Sequence, residues 1–131
     1  VGIYLDEHSS RVRVTGNIVS NAQYGIQLHN AFDNDVSQNH LYGNRTYQLW
    51  LQAGRNEVKS SGDVFGNVIN SNTFVPTEHG VSVSLDSLFD STDDFAHFDA
   101  NLYSALRSAQ IVRERTRLKE ILYSFASWTQ A

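Results

Sequence analysis

The sequence predicts an all-β fold: a right-handed parallel β-helix solenoid of about four coils over residues 1–103, with a helical capping or docking segment over 104–131. Three observations carry that expectation. A short strand element recurs four times. An asparagine-centred element follows each copy. The last 28 residues then change character.

The strand element reads "GIYLDEHS", "GIQLHNAF", "QLWLQAGR" and "GVSVSLDS". Its apolar pairs are Ile3/Leu5, Ile26/Leu28, Leu49/Leu51 and Val81/Val83. Each is spaced by two, as in a half-buried strand. The second element reads V-x-x-N-x-apolar, at Val14/Asn17, Val36/Asn39 and Val64/Asn67, with a looser copy at Phe98/Asn101. The first periods are 22 to 23 residues. Later ones carry insertions around 56–62, 73–79 and 87–94, which a solenoid tolerates at its surface corners. A leucine-rich repeat has a similar period, but it needs several leucines and a helix-like half, and this chain has neither. Asparagine suits β-helix turns, because it accepts left-handed backbone and bonds to its neighbours. Asn17, Asn39, Asn67 and Asn101 are therefore expected to stack as one ladder inside one bend.

Residues 104–131 are rich in helix formers and lack glycine and proline. Leu102, Leu106, Ala109 and Val112 fall near helical step, as do Leu118, Ile121, Leu122 and Phe125. A helix packed on the coil end is the first expectation. A return strand at 111–115 is the alternative. Ser124 reads as the cap of a fresh helix.

The 131 residues suit one domain. Net charge is −4, which provides no basic field for nucleic acid. No apolar run approaches the ~20 residues of a membrane span. Cysteine is absent, so disulfides and thiol chemistry are excluded. Charge is uneven: residues 1–103 hold 5 basic and 12 acidic side chains, residues 104–131 hold 5 and 2. That asymmetry reads as a solvated helix face or a docking surface.

With the apolar pairs inward, alternate residues face outward. One expected row is Tyr4, Gln27, Trp50, Ser82. The next is Asp6, His29, Gln52, Ser84. His8, Ala31, Gly54 and Asp86 follow at the strand ends. Neighbouring strands lie ~4.8 Å apart, so Asp6 and His29 should touch. This is a polar strip edged by aromatics, of the kind that binds sugars. Asp6, His29, His8 and Glu7 are the candidate catalytic residues, with Tyr4, Gln27, Trp50 and Gln52 as the substrate-binding set. Histidine titrates in a useful range for proton transfer. A glycosidase needs two carboxyls, and Glu7 qualifies as the second only if the strand has turned before it. The plainer reading is a cross-strand polar pair, worth under ~1 kcal/mol. No metal site and no cofactor are expected. His40, His79 and His97 fit no zinc spacing. Calcium at Asp90, Asp93, Asp94 and Asp99 is the one exception weighed, against a solvated loop.

The run Gly2-Ile-Tyr-Leu-Asp6-Glu, with Gly16-Asn17, Gly25-Ile-x-Leu-His29-Asn, Asn34 and Asn39, resembles bacterial right-handed parallel β-helix proteins of the carbohydrate-active class. These include pectate lyases, mannuronan C5-epimerases and β-helical glycoside hydrolases. The segments "DFAHFDANLYS" and "YSFASWTQA" resemble the ends of such proteins. The resemblance implies a secreted or periplasmic protein that binds a polysaccharide or oligosaccharide on its sheet face, with Asp6 and His29 there. It also implies a lyase, epimerase or hydrolase activity. Glu7 stands where a second Asp is usual, and Asn30-Ala31 where two glycines are. Relatives are longer, so the chain is expected to be the C-terminal part of a larger parent or one member of a homo-oligomer. The competing expectation is a non-catalytic solenoid for glycan binding or self-assembly.

Overall fold

The computed structural model describes residues 1–54, 64–104 and 111–128. The expected insertion at 56–62 and the helical-step positions Leu106 and Ala109 lie outside the described residues. Three sheets form the body. The first holds β1 (Ile3–Leu5), β4 (Tyr24–His29), β7 (Tyr47–Ala53), β10 (Val81–Ser87), β13 (Val112–Arg115) and β14 (Glu120–Tyr123), in that spatial order. The second holds β2 (Arg13–Thr15), β5 (Asp35–Ser37), β8 (Asn67–Asn70) and β11 (Ala96–Asp99). The third holds β3 (Ile18–Ser20), β6 (His40–Tyr42), β9 (Thr73–Val75) and β12 (Leu102–Tyr103). Every pairing is parallel except β13 with β14. Successive strands thus visit the three sheets in turn, as in a β-helix.

Like residues stack into columns between the sheets. The first sheet contributes Ile3, Ile26, Leu49, Val83 and Val112, and beside them Leu5, Leu28, Leu51 and Leu85. The second contributes Val14, Val36, Ile69 and Phe98, the third Val19, Leu41, Phe74 and Tyr103. Most of these are wholly buried and form one apolar core.

The asparagines form two main ladders rather than one. Asn17, Asn39, Asn72 and Asn101 make the first: each backbone N–H donates to the next Oδ1 at 2.9–3.0 Å. Asn34 and Asn67 make the second, at 3.1 Å. Asn67 therefore leaves the expected ladder and Asn72 takes its place. The reason is register. Ile69, not Val64, pairs with Val36, so the third copy of the motif is Ile69-x-x-Asn72. The residue before each ladder asparagine carries the left-handed backbone: Gly16, Gln38, Ser71 and Ala100 in one bend, Asp33 and Gly66 in the other.

The fourth strand of the first sheet is also shifted. Trp50 pairs with Ser84 and Gln52 with Asp86, so Ser82 and Ser84 leave the rows expected for them. A slip of two keeps every side chain on its face, so the alternation in "VSVSLDS" fits either register.

The described residues of the C-terminal segment are mostly strand. The alternative strand is the one the chain takes: β13 alternates buried and open positions and extends the parallel edge of β10, where Val83 N–H donates to Ile111 O at 3.1 Å. The unpaired edge of β10 outweighs local helix propensity. Leu118, Leu122 and Phe125 stay exposed and Ile121 is half-buried, so the expected apolar helix face is not buried as a unit. The helix among the described residues, α1, covers Phe125–Trp128. Ser124 caps it, its Oγ accepting from Ser127 N–H at 3.3 Å.

Candidate metal centre

The outward row of the first sheet runs His29, Gln52, Asp86, Arg115 across successive strands. Asp6 begins it, one residue beyond the Leu5–Leu28 pair. As the spacing requires, Asp6 and His29 touch: Oδ1 lies 3.0 Å from Nδ1. Tyr4 closes the cluster. Its hydroxyl donates to Asp6 Oδ1 at 2.8 Å and lies 3.1 Å from His29 Nδ1, with the two rings stacked at 6.3 Å.

Glu7 joins from an unexpected direction. β1 ends at Leu5 and the chain turns at Glu7 and His8, where Ser9 N–H donates to Asp6 O at 2.9 Å. The strand alternation that would send Glu7 to the far face therefore stops before it. Its Oε1 lies 3.7 Å from His29 Nδ1. His8 is exposed, with left-handed φ of 62°, and its N–H donates to Asn30 O.

The remaining predicted residues sit elsewhere on the sheet. Gln27 is buried and donates to Gln52 Oε1 at 3.1 Å. Trp50 is half-buried among Tyr24 and Tyr47, at ring distances of 4.7 and 5.5 Å, and its Nε1–H donates to Asp86 Oδ2 at 2.7 Å. It is thus packed against the sheet rather than offered as an open platform. Tyr4 is the exposed aromatic of the strip, at 46%. A groove of about 630 Å3 starts at His29 and passes Gln52 and Gly54 to Arg115 and Arg117.

Electrostatics favour an ionised Asp6 at neutral pH. A hydrogen bond from the Glu7 backbone, then His29 and Tyr4, hold its carboxyl down to about 2. Desolvation, then the Asp6 carboxylate, push the Tyr4 phenol up to about 12. Among the described residues, Asp6, Glu7 and His29 are the one group of three ligand-bearing side chains that converge, their donor atoms all within 4.8 Å of one another. Asp90, from the acidic cluster weighed for calcium, has both carboxylate oxygens on Arg117, at 2.8 and 3.1 Å.

A family model described as "Periplasmic copper-binding protein (NosD)" matches residues 1–92. The chain belongs to the NosD family. Comparison with curated proteins and with solved structures gave no match. The NosD match spans the whole converging cluster and agrees with the parallel β-helix and with a periplasmic setting. Where the sequence resemblance implied polysaccharide chemistry, the NosD description names copper.

The donor set can be tested against that metal. The chain has no cysteine and no methionine, so it offers no thiolate or thioether. Imidazole nitrogen with carboxylate oxygen suits Cu(II) rather than Cu(I). Ligands must be deprotonated, and Asp6 is. Donors ~2.1 Å from one ion lie at most ~4.2 Å apart, so the cluster needs to contract by less than about 1 Å. The residues present fit a cupric ion. The sequence reading groups Asp6, Glu7 and His29 but weighs them for proton transfer, and admits Glu7 only if the strand turns before it; the polar run Asp6-Glu-His-Ser-Ser10 is the signal of that turn.

Proposed function

We propose that this chain is a periplasmic β-helix protein, right-handed and of about four coils, that binds copper as Cu(II) through Asp6, Glu7 and His29. The convergence of those three donors on the open face of the first sheet carries the reading. The family description and the absence of soft donors support copper in its cupric form. Titrating Cu(II) into the protein, by calorimetry with electron paramagnetic resonance, tests it. One ion per chain is expected, with hyperfine coupling from one imidazole. His29→Ala should weaken binding by more than the roughly 10- to 100-fold that losing a supporting residue costs. A wild-type protein that takes no Cu(II), or a His29→Ala protein that takes it equally well, overturns the reading.

The groove from His29 to Arg115 and Arg117 favours a second reading, an acidic polysaccharide bound or processed on the same face. It ranks lower because Asp6, held near 2, is a poor proton carrier at neutral pH, where general catalysis wants a matched pKa. Unsaturated or epimerised uronate from a polysaccharide panel would raise it above the metal reading.

A further inference from the structure

Asn30 follows His29 and is 1% exposed, with left-handed φ of 48°. Its polar groups reach both neighbouring strands. Its N–H donates to Gln52 O at 3.0 Å, and its carbonyl accepts from His8 N–H at 2.9 Å. The side chain repeats this pattern: Oδ1 accepts from Gly54 N–H at 2.9 Å, while Nδ2 donates to Glu7 Oε1 at 2.8 Å. The ladder asparagines spend Nδ2 differently. Asn34, Asn39, Asn67 and Asn72 each donate to a backbone carbonyl of the preceding strand or turn. Asn30 departs from that scaffold habit and gives its amide to a carboxylate of the converging cluster.

Gly54, at the other end of this bridge, governs the other side of the cluster. A Cβ there would overlap His29 Nε2 and crowd its ring carbons. The imidazole occupies the space that glycine leaves, with Nε2 over Gly54 and Nδ1 among Asp6, Glu7 and Tyr4.

We infer that Asn30 and Gly54 are positioning residues of the metal centre: Asn30 holds Glu7 over the sheet and Gly54 fixes the His29 ring with Nδ1 toward the carboxylates. This rests on the copper reading above. Groups that orient ligands typically account for 10- to 100-fold in metal affinity.

Two variants test it. Asn30→Gly keeps the left-handed backbone and removes the amide. Gly54→Ala adds the obstructing methyl. Asn30→Gly should weaken Cu(II) binding on the order of 10-fold, and that loss should vanish in a Glu7→Ala background. Gly54→Ala should reduce or abolish the imidazole hyperfine coupling. Cooperative melting checks the fold of each. Long-range proton–nitrogen spectra of the metal-free protein give a readout free of copper: Gly54→Ala should shift the His29 Nε2 resonance. Wild type that binds no copper sinks the metal reading alone. The positioning inference falls if wild type binds through His29 and both variants match it. It falls too if the Asn30→Gly loss persists without Glu7, or if the His29 ring resonances stay unmoved in Gly54→Ala.

Discussion

Asn72 shows what one side chain does for this solenoid. It is wholly buried. Its Oδ1 accepts from both the N–H and the Nδ2 of Asn39 at 3.0 Å, and its own Nδ2 donates to Val36 O at 2.8 Å. Asn72→Ala would leave three buried polar groups without these partners, at about 1–3 kcal/mol for each unsatisfied group before relaxation. A loss of about 3 kcal/mol or more in urea unfolding is expected, with an unchanged m-value. Asn17→Ala is the contrast. Its Nδ2 donates to Thr15 O at 3.2 Å and to Asn39 Oδ1 at 3.0 Å, at a partly open end of the ladder, and Asn39 Oδ1 keeps the Asn17 N–H, so a loss under about 1 kcal/mol is expected. Equal losses for the two would sink the ladder account. The sequence pattern revealed that asparagines stack, but not which ones. Val64-x-x-Asn67 and Ile69-x-x-Asn72 carry the same spelling, and pairing partners decide between them. Asp6 beside His29 was legible for a plain reason: strand spacing alone places them. Glu7 was legible only on the condition of a turn before it, and the contacts of Asn30 and Gly54 were not, because tertiary approach sets them.

At the scale of elements, Asp86 ties the open side of the first sheet together. Its side chain is 5% exposed. It accepts from Trp50 Nε1 on β7 and Ser84 Oγ on its own strand, and pairs with Arg113 and Arg115 on β13. Arg113 reaches on to the Tyr47 hydroxyl at 2.6 Å and to Glu120 on β14 at 2.8 Å. One carboxylate thus links three adjacent strands, and β14 follows through Arg113. Removing one partner of a buried ion pair costs about 3–5 kcal/mol, because the other charge is left uncompensated. Asp86→Ala should destabilise by that amount in a denaturant titration. Trp50 fluorescence should shift at the same midpoint. A loss under about 1 kcal/mol would mean that Arg113 and Arg115 turn to solvent without penalty. None of this network was visible beforehand, because it depends on the slip of two that seats Asp86 beside Gln52. The C-terminal strand was legible only as an alternative. Helix propensity and strand alternation coexist in "IVRER", and the edge left by β10 decides between them.

Across the whole molecule, three of the six tyrosines report on folding from first strand to last. Tyr4 lies on β1, Tyr103 ends the Val19–Leu41–Phe74 column, and Tyr123 lies on β14. Each phenol is pushed from 10.0 up to about 12, first by desolvation, with Asp6 adding to the effect at Tyr4 and Glu114 at Tyr123. The sign follows from linkage. A phenol whose folded pKa lies above its unfolded value favours the folded state while protonated. That contribution is full below pH 10 and is lost as pH climbs through about 12. Tyrosinate absorbance should therefore show a late step near pH 12 worth three residues. Melting temperature should fall across the same window. Tyr103→Phe should remove one residue from the step and lessen the fall, since phenylalanine cannot ionise. Tyr4→Phe should remove another residue from the step, yet change the alkaline stability least, because that ring sits at the open face. A single absorbance transition centred at pH 10 in the folded protein would show that desolvation and the neighbouring carboxylates do not hold these phenols protonated. The stacked columns would then be looser than their register implies.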